Sequence, residues 1–511
     1  MGAPVIRGAA EVPEGFTVRT DVCVVGSGAG GGVAAALLSE GGREVVVLEE
    51  GPHVPRERMT QREEQMYPLL YRDGGNQLTD DGGVSVLQGR VLGGSTVVNM
   101  ADVVGISEEV WAHWRIVHGC DRWSMDDLAE AEADGRATIG ANRVTADQLN
   151  RNNALLVRGG DRLGLPTATM EHNRVGCVGS GYCLIGCAYD AKRSVAVSWI
   201  PRALATGRVM VQTEARVERF ERDGGRVVAV VGHLVRPGDG ARLAPFRVEA
   251  DTFVLAAGAI HSPLLLAASG LGGPAVGRNL SLQPQAPVAA LFPDDVVMFR
   301  GIPQAGYVDA ETATAEGGLG GFRLEAVSAT PGMSAITTAL PTADLHRFMT
   351  RYRQVAANLC LVPDRPSGAV SADRNGRPRI RYSLSAEVHA TMIAAIRTAA
   401  RCWLAAGAEG VALPFPGMPM ARSEADLAAL DHVVIRPAST PMISAHPQGT
   451  CRMGPRPEDA VVRTDLRLHD APNLSVLDAS VFPTTASSHT QLPVMSLAWL
   501  GARDILEGPA R

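Results

Sequence analysis

The chain has 511 residues, of which 46% are hydrophobic and 20% are charged, and its formal net charge is −6. This length exceeds what one hydrophobic core usually holds, and the composition excludes a disordered chain or a collagen-like repeat. The acidic balance argues against a nucleic-acid partner, and no apolar run approaches the ~18 residues of a membrane span. The first residues lack a secretory layout, so we expect a cytoplasmic enzyme.

The first predicted elements form a β-α-β unit. Residues 20–25 are a short β-branched run typical of a buried strand, residues 33–38 an Ala/Leu-rich helix, and residues 44–49 a second strand. Between the first strand and the helix lies a Gly-x-Gly-x-x-Gly sequence. This is the position at which the dinucleotide-binding fingerprint occurs, so the unit predicts a Rossmann-type nucleotide site.

Each glycine of the fingerprint has a separate task. Gly26 permits the tight turn, Gly28 lets the backbone approach a pyrophosphate, and Gly31 lets the helix pack closely on the strand. The N-terminus of the helix then faces the anion. Glu49 ends the second strand, where a carboxylate accepts hydrogen bonds from a ribose with a free 2′-hydroxyl, and this favours FAD or NAD over NADP.

Four later segments indicate a flavin. They are residues 89–99, 258–272, 446–454 and 478–489, and they follow the fingerprint in a fixed order. Together they resemble the glucose–methanol–choline (GMC) oxidoreductases, FAD enzymes that act mainly on alcohols. The resemblance covers residues 20–505. It implies an α/β fold with a Rossmann-type FAD-binding domain and a second, α+β substrate domain built on an antiparallel sheet.

The resemblance also implies a set of FAD contacts. Gly93 to Ser95 form a loop whose N–H groups meet the pyrophosphate, while Asn99 and the Met100 backbone lie near the flavin ring. Val217 matches the position whose backbone contacts adenine in relatives, and a plain edge strand is the alternative interpretation there. Val98 stands where relatives with covalent flavin carry histidine, so we expect non-covalent FAD. The full set is Gly26, Gly28, Gly31, Glu49, Arg90, Gly93, Gly94, Ser95, Asn99, Met100, Val217, Ala257, Asp478, Ala479 and Thr490.

Two histidines, His446 and His489, form the facing catalytic pair in the resemblance. Removing a hydride from an alcohol carbon also requires removal of the hydroxyl proton, and histidine, with a reference pKa of ~6.5, suits that base. We expect His446 to be the base and His489 to orient and polarise the alcohol. The reverse assignment stays open, because adjacent imidazoles titrate as a coupled pair.

Three of the eight cysteines, Cys177, Cys183 and Cys187, are bunched among glycines. Thiolates at this spacing are able to bind the three irons of a [3Fe–4S] cluster, and some GMC dehydrogenases that act on sugars look like this. Such a cluster relays flavin electrons to an outside acceptor. Three other interpretations stay open: inert thiols, a zinc site completed by His172, and a disulfide.

The predicted FAD-binding domain is discontinuous and consists of residues 15–125, 195–284 and 440–511. Residues 126–194 and 285–439 form the predicted substrate-binding domain. In the second of these pieces, Asn375-Gly376 is a hairpin turn signal between two strand-like runs. An Ala-rich helix is expected to follow and to end at Ala406, before Gly407.

The leading functional hypothesis is FAD-dependent oxidation of a CH–OH group to an aldehyde or ketone, with hydride transfer to flavin N5 and a histidine base. The expected substrate is a sugar, glycoside, aminoglycoside or other alcohol, and the expected acceptor is oxygen or an external redox partner. The alternatives are a non-oxidising flavin lyase or decarboxylase, a dehydrogenase subunit that relays electrons through an iron–sulfur cluster, and an NAD-binding Rossmann protein.

Overall fold

The computed structural model describes residues 5–310, 320–486 and 488–508. In chain order, the strands are β1 (Val5–Arg7), β2 (Phe16–Val25), β3 (Val45–Leu48), β4 (Gln77–Leu78), β5 (Ser85–Val86), β6 (Asp102–Val103), β7 (Ala141–Arg143), β8 (Thr167–Thr169), β9 (Glu171–Asn173), β10 (Val209–Gln212), β11 (Ala215–Asp223), β12 (Arg226–Val235), β13 (Arg242–Leu255), β14 (Arg278–Leu280), β15 (Gln285–Leu291), β16 (Gly306–Ala310), β17 (Phe322–Ala326), β18 (Val355–Leu361), β19 (Gly368–Ala372), β20 (Pro378–Arg381), β21 (Gly410–Ala412), β22 (Ile443–Ser444) and β23 (Leu474–Val476). The helices are α1 (Ala29–Glu40), α2 (Glu63–Leu70), α3 (Glu108–Ile116), α4 (Met125–Thr138), α5 (Arg151–Arg162), α6 (Trp199–Ala205), α7 (Gly258–Ala268), α8 (Pro331–Thr337), α9 (Thr342–Thr350), α10 (Ala386–Ala406) and α11 (Gln491–Glu507).

The first large sheet contains the predicted β-α-β unit, which is confirmed as β2, α1 and β3. Its strand order is β1-β10-β3-β2-β13-β12-β11, with β23 also paired to β13. The strands from β1 to β13 run parallel, and β12 and β11 add an antiparallel edge. Gly26 has a φ of +97°, and a Cβ there would lie 2.3 Å from the Ala256 carbonyl oxygen, so this turn requires glycine.

The second large sheet has the order β4-β5-β22-β15-β18-β17-β16-β8, with β21 also paired to β15. Its central pairs are antiparallel, as predicted for the substrate side of the fold. The predicted hairpin is confirmed between β19 and β20, and Gly376 has a φ of +77°. The predicted Ala-rich helix is confirmed as α10, which Ser385 caps and left-handed Gly407 ends.

Each large sheet lies in its own hydrophobic core. The larger core surrounds the parallel strands, α1 and α11, and the other surrounds the antiparallel strands and α10. The α/β class and the antiparallel second sheet agree with the predicted fold, whereas the domain boundaries stay a prediction. Within the described residues, no helix combines the length and apolar character needed to cross a membrane.

Candidate active site

One cavity of about 1500 Å³ runs from the glycine loops of the first sheet to the face of the second sheet. This volume exceeds the ~300–1000 Å³ of a typical small-ligand pocket. Both predicted catalytic histidines line the cavity, as do all the predicted cofactor residues except Gly31 and Gly93. The structure therefore brings the predicted residues together at one place.

The two exceptions support the loops that line the cavity. A Cβ on Gly31 would lie 1.9 Å from the Gly26 carbonyl oxygen, so Gly31 is needed for close packing beneath the turn. The Gly93 N–H donates to Ser27 Oγ at 2.9 Å and ties the second glycine loop to the first. By contrast, the nearest atom to a Cβ on Gly28 is 3.9 Å away, so that position faces open space in the cavity.

We call the part of the cavity lined by the predicted FAD contacts the cofactor side. Two buried carboxylates there already accept hydrogen bonds from the protein. Glu49 accepts from Ser27 N–H, from Ser27 Oγ and from the Gly51 N–H. Asp478 accepts from the Gly258 N–H at 2.9 Å and from Ser262 Oγ at 2.5 Å, and its other oxygen accepts from the Ser480 N–H. Burial raises the pKa of both groups, and these hydrogen bonds oppose the increase. Their contacts to a cofactor stay predictions.

His446 and His489 face each other edge to face on the wall of the cavity. Their ring centroids are 5.1 Å apart and their planes meet at 89°. Both side chains are buried, at 6% and 8% exposed. Gln448 holds the two segments in place: its amide N–H donates to the His446 carbonyl, and its amide oxygen accepts from the Ala486 N–H.

The side of the site around His446 presents amides, and we call Gln283, Gln285 and His446 the amide side. His446 follows β22, whose Ile443 pairs with Gln285 at the start of β15. His446 Nδ1 lies 2.8 Å from Gln283 Oε1 and 3.3 Å from Gln285 Nε2. The shorter contact favours the tautomer in which Nδ1–H donates to Gln283, which leaves a lone pair on Nε2.

Burial lowers the pKa of His446 to about 3, and the positive charge of His489 adds to the decrease. No carboxylate is in hydrogen-bond contact with the ring, and the negative charge of Glu325 offsets only part of the decrease. His446 is therefore neutral at physiological pH and presents the electron pair that a general base needs.

The opposite side presents carboxylates, and we call Asp102, Glu325 and His489 the carboxylate side. His489 Nε2 lies 2.9 Å from Glu325 Oε1 and 3.9 Å from Asp102 Oδ2. Burial alone would lower the pKa of His489, but the two carboxylates outweigh it and raise this pKa above its usual value. Burial would likewise raise the pKa of Glu325, yet His489 and Arg323 hold it lower. The pair is ionic.

Glu325 lies on β17 and is completely buried. Its second oxygen accepts a hydrogen bond from Gln304 Nε2, so both oxygens have partners. On the other side, His172 Nε2 lies 2.8 Å from Asp102 Oδ1, although the two atoms are not aligned for a hydrogen bond. Arg323 donates to Ser488 Oγ at 3.2 Å and so fixes the residue before His489.

Asn99 links the second glycine loop to the beginning of α11. Its amide N–H donates to Gln491 Oε1, and its oxygen accepts from the Ala101 N–H at 3.2 Å. Thr490 is the cap residue of α11, so the positive end of the helix dipole faces the cavity beside His489.

The three clustered cysteines line a separate cavity of about 20 Å³, which has room for about one water molecule. In residues 5–310, 320–486 and 488–508, no group of three or more His, Cys, Asp or Glu side chains is arranged to hold a metal ion. Burial raises the pKa of Cys183 to about 11. As folded here, the triplet does not fit the predicted cluster or the zinc alternative with His172, and we derive no step through either.

Lys192 joins the cysteine segment to the cofactor side. It is the only lysine of the chain, and its buried ammonium donates to the carbonyls of Val97, Asn99 and Cys183, each at 2.7 Å. Burial lowers the pKa of Lys192. Lys192 therefore fixes the loop that carries Asn99 against the cysteine segment.

The sequence analysis missed several residues of the site: Gln283, Gln285, Asp102, Glu325 and Lys192. On the linear sequence, Arg323 and Glu325 alternate with apolar residues, a pattern typical of a strand with one face in water. In the structure this face contacts the segment of His489: Arg323 donates to Ser488 Oγ, and Glu325 accepts from His489 Nε2. The alternation over residues 322–326 was the signal available for Glu325.

Family comparisons identify related proteins. Two GMC oxidoreductase family models, for the N- and C-terminal parts, match residues 67–285 and 364–498, and an NAD(P)-binding Rossmann-like model matches residues 24–68. An uncharacterised GMC-type oxidoreductase of Mycobacterium tuberculosis is 36% identical over 94% of this chain and 75% of its own length. A long-chain-alcohol oxidase of Arabidopsis thaliana is 26% identical over 96% of this chain and 69% of its own length.

Solved structures share the fold. A pyridoxine 4-oxidase superposes with a TM-score of 0.68 and 20% identity, over 94% of this chain and 98% of that one. A formate oxidase superposes with a TM-score of 0.70 and 17% identity, over 96% of this chain and 98% of that one. At these identities, the likeness establishes the fold alone.

Proposed function

The chain belongs to the glucose–methanol–choline (GMC) oxidoreductase family, and we propose that it is an FAD-dependent enzyme that oxidises a CH–OH group to an aldehyde or ketone. One observation carries the proposal. His446 and His489 meet edge to face in the cavity that also contains the glycine loops of a nucleotide site.

The cofactor side fits FAD. Gly28 opens onto free space, and Arg90 lines the cavity with a buried Nε that has no hydrogen-bond partner among the described residues. Gly94, Ser95, Val217 and Ala479 line the same groove. When bound, FAD supplies the hydride acceptor. Val98 is unable to form a covalent flavin bond, so acid precipitation of the protein is expected to release the flavin into the supernatant.

His446 takes the hydroxyl proton in this proposal. Its Nδ1–H is held by Gln283, which leaves Nε2 as the acceptor atom. A low pKa makes the ring a weak base in the resting protein, but it guarantees that the electron pair is available at every physiological pH. As the proton arrives, Glu325 supplies negative charge nearby, since its field favours a charged His446.

His489 orients the alcohol and stabilises negative charge on its oxygen. Its Nε2–H donates to Glu325, which leaves Nδ1–H of the imidazolium as the donor for the substrate oxygen. Glu325 therefore acts as a positioning residue: it keeps His489 charged and fixes its orientation. A neutral His446 with a free Nε2 and a His489 held by Glu325 together favour His446 as the base over the reverse assignment.

Oxygen is the proposed electron acceptor. The activities of two relatives, a long-chain-alcohol oxidase and a pyridoxine 4-oxidase, support an oxidase acting on alcohols. The cysteine cavity supports no relay, so an electron-transferring subunit has no observation in its favour.

Anaerobic addition of an alcohol to the purified flavoprotein tests the proposal. We expect the flavin absorption to bleach and to return when air is admitted, with hydrogen peroxide as a product. A lyase would form product without bleaching, and a dehydrogenase would need another acceptor for reoxidation. His432→Ala, which removes an exposed histidine that does not line the cavity, serves as the control for variants of the two site histidines.

A further inference from the structure

The cavity continues past the two histidines over the face of the second sheet. We propose that this part, which we call the substrate branch, binds the extended, uncharged hydrocarbon body of a primary alcohol. The inference rests on the proposed function and narrows its substrate class. It excludes sugars and other polyols, which the sequence analysis left among the candidates.

The floor of the substrate branch is built from small apolar side chains on one face of β15 and β18. Pro287 pairs with Leu359 and Ala289 pairs with Ala357, and all four line the cavity. They share a face because side chains alternate along a strand. Pro287 and Ala289 keep part of their surface accessible, so space remains above them.

The register also gives the length of this floor. Gln285, which contacts His446, pairs with Leu361 at one end, and Leu291 pairs with Val355 at the other. The seven residues from Gln285 to Leu291 span ~20 Å at the rise of a β-strand. The floor is therefore long enough for an extended chain whose hydroxyl lies at the histidines.

The roof comes from two helices. Met333 and Thr337 of α8 and Phe348 of α9 line the same cavity. A methionine adapts its shape to irregular apolar ligands, and phenylalanine adds a large apolar surface. Floor and roof together surround the branch with hydrocarbon.

Charge is missing from this branch. Of the described residues that line the cavity, none from 285 to 359 or from 412 to 445 is Asp, Glu, Lys or Arg. Of the charged lining residues, Arg377 lies on the β19–β20 hairpin, Asp102 lies beside His489, and the others belong to residues 49–90, residues 216–242 and Asp478. A substrate with a charge on its body would lose its hydration here without an ionic partner.

Three of the polar side chains that line the branch are engaged with the protein. Ser328 Oγ donates to the Met298 carbonyl, Thr337 Oγ1 donates to the Met333 carbonyl, and Gln304 Nε2 donates to Glu325. The two hydroxyls therefore have no further O–H to donate to a sugar, and Gln304 keeps one N–H. A polyol would leave water for a wall that replaces few of its hydrogen bonds, whereas an alkyl chain gains from the transfer.

Anaerobic flavin reduction by butanol, octanol, dodecanol and glucose tests the substrate class. We expect kcat/KM to rise by about fourfold per methylene until the branch is filled, which corresponds to ~0.8 kcal/mol for each buried CH2, and glucose to reduce the flavin poorly. Equal values for butanol and dodecanol, or efficient reduction by glucose, would overturn the inference while leaving the proposed function intact.

A pair of variants locates the chain-length effect in the branch. Ala289→Phe places a ring on the floor, and we expect it to lower kcat/KM for dodecanol at least tenfold more than for butanol. Ile336→Phe makes the same addition on the outer face of α8, where Ile336 is 75% exposed and does not line the cavity, and we expect no change in this ratio. The same ratio in all three proteins would contradict the proposed site.

Binding is measured separately from turnover, through the perturbation of the flavin spectrum by dodecanol. If no alcohol bleaches the flavin, the proposed reaction is wrong. The substrate class still stands in that case if dodecanol perturbs the spectrum in the wild type and Ala289→Phe weakens this binding. It is wrong if dodecanol causes no perturbation or if the variant binds equally well.

Discussion

The amide side and the carboxylate side of the site surround the same type of side chain with opposite chemistry. His446 contacts two glutamine amides, and its pKa is lowered to about 3, mainly by burial. His489 is almost as deeply buried, but Glu325 and Asp102 raise its pKa. Burial alone therefore does not decide the charge of these rings, whereas the presence of a buried carboxylate does.

This difference teaches how two adjacent imidazoles avoid competing for one role. With like neighbours they would share a proton between them, and neither would be a dedicated base or donor. Burial and the charge of His489 favour a neutral His446, Gln283 fixes its tautomer, and the carboxylates favour a charged His489. Variants that change one side at a time test whether the two histidines have these separate roles.

Removing the ring from the amide side is expected to have the largest effect. His446→Ala takes away the proton acceptor, so we expect the anaerobic rate of flavin reduction to fall by about 10²- to 10⁴-fold while FAD stays bound. Stopped-flow absorbance measures the rate, and His432→Ala is the control. A rate within a few fold of the wild type would remove His446 from the mechanism.

Neutralising the main carboxylate is expected to have the next largest effect. Glu325→Gln keeps the shape but removes a charge-assisted hydrogen bond worth ~1.5–3 kcal/mol, so we expect reduction at neutral pH to slow by about 10- to 100-fold. Glu387→Gln, an exposed residue at the start of α10, makes the same change outside the site and should leave the rate unaltered. Thermal unfolding and flavin content show whether both variants are folded.

Asp102→Asn is expected to have the smallest effect of the three. Asp102 Oδ2 is 3.9 Å from His489 and acts through charge at a distance, so we expect a decrease of about two- to threefold. Rates of Asp102→Asn and Glu325→Gln measured side by side check this order. A larger loss in Asp102→Asn than in Glu325→Gln would show that the wrong carboxylate has been assigned to His489.

Much of the cofactor side could be predicted from the sequence because its signals are local. Gly26, Gly28 and Gly31 stand between a strand and a helix, and the backbone they require is visible in the order of the residues. The motif around His446 and the segment before α11 similarly identify both histidines. The order of these motifs along the chain and their local conformation are therefore enough to identify the glycines and the two histidines.

The partners of the histidines could not be predicted in the same way. Glu325 reaches His489 from 164 positions away along the chain, and Gln283 reaches His446 from 163. Such contacts depend on the pairing of β15, β17 and β22 in the second sheet, which no local pattern specifies. The three cysteines show the converse: their spacing left a cluster open beside inert thiols, zinc and a disulfide, and only the folded loop shows the small cavity that they line.

The pH dependence of single-turnover flavin reduction tests the division between the two sides most directly. His446 is neutral above about pH 3, so activity needs no deprotonation near neutral pH; His489 must be charged, which holds below its raised pKa and is lost as pH rises through it. We therefore predict a plateau that extends to acidic pH and a fall on the alkaline side, which moves to lower pH in Glu325→Gln. A wild-type rate that rises with pH through ~6.5, the ordinary histidine value, would contradict the account.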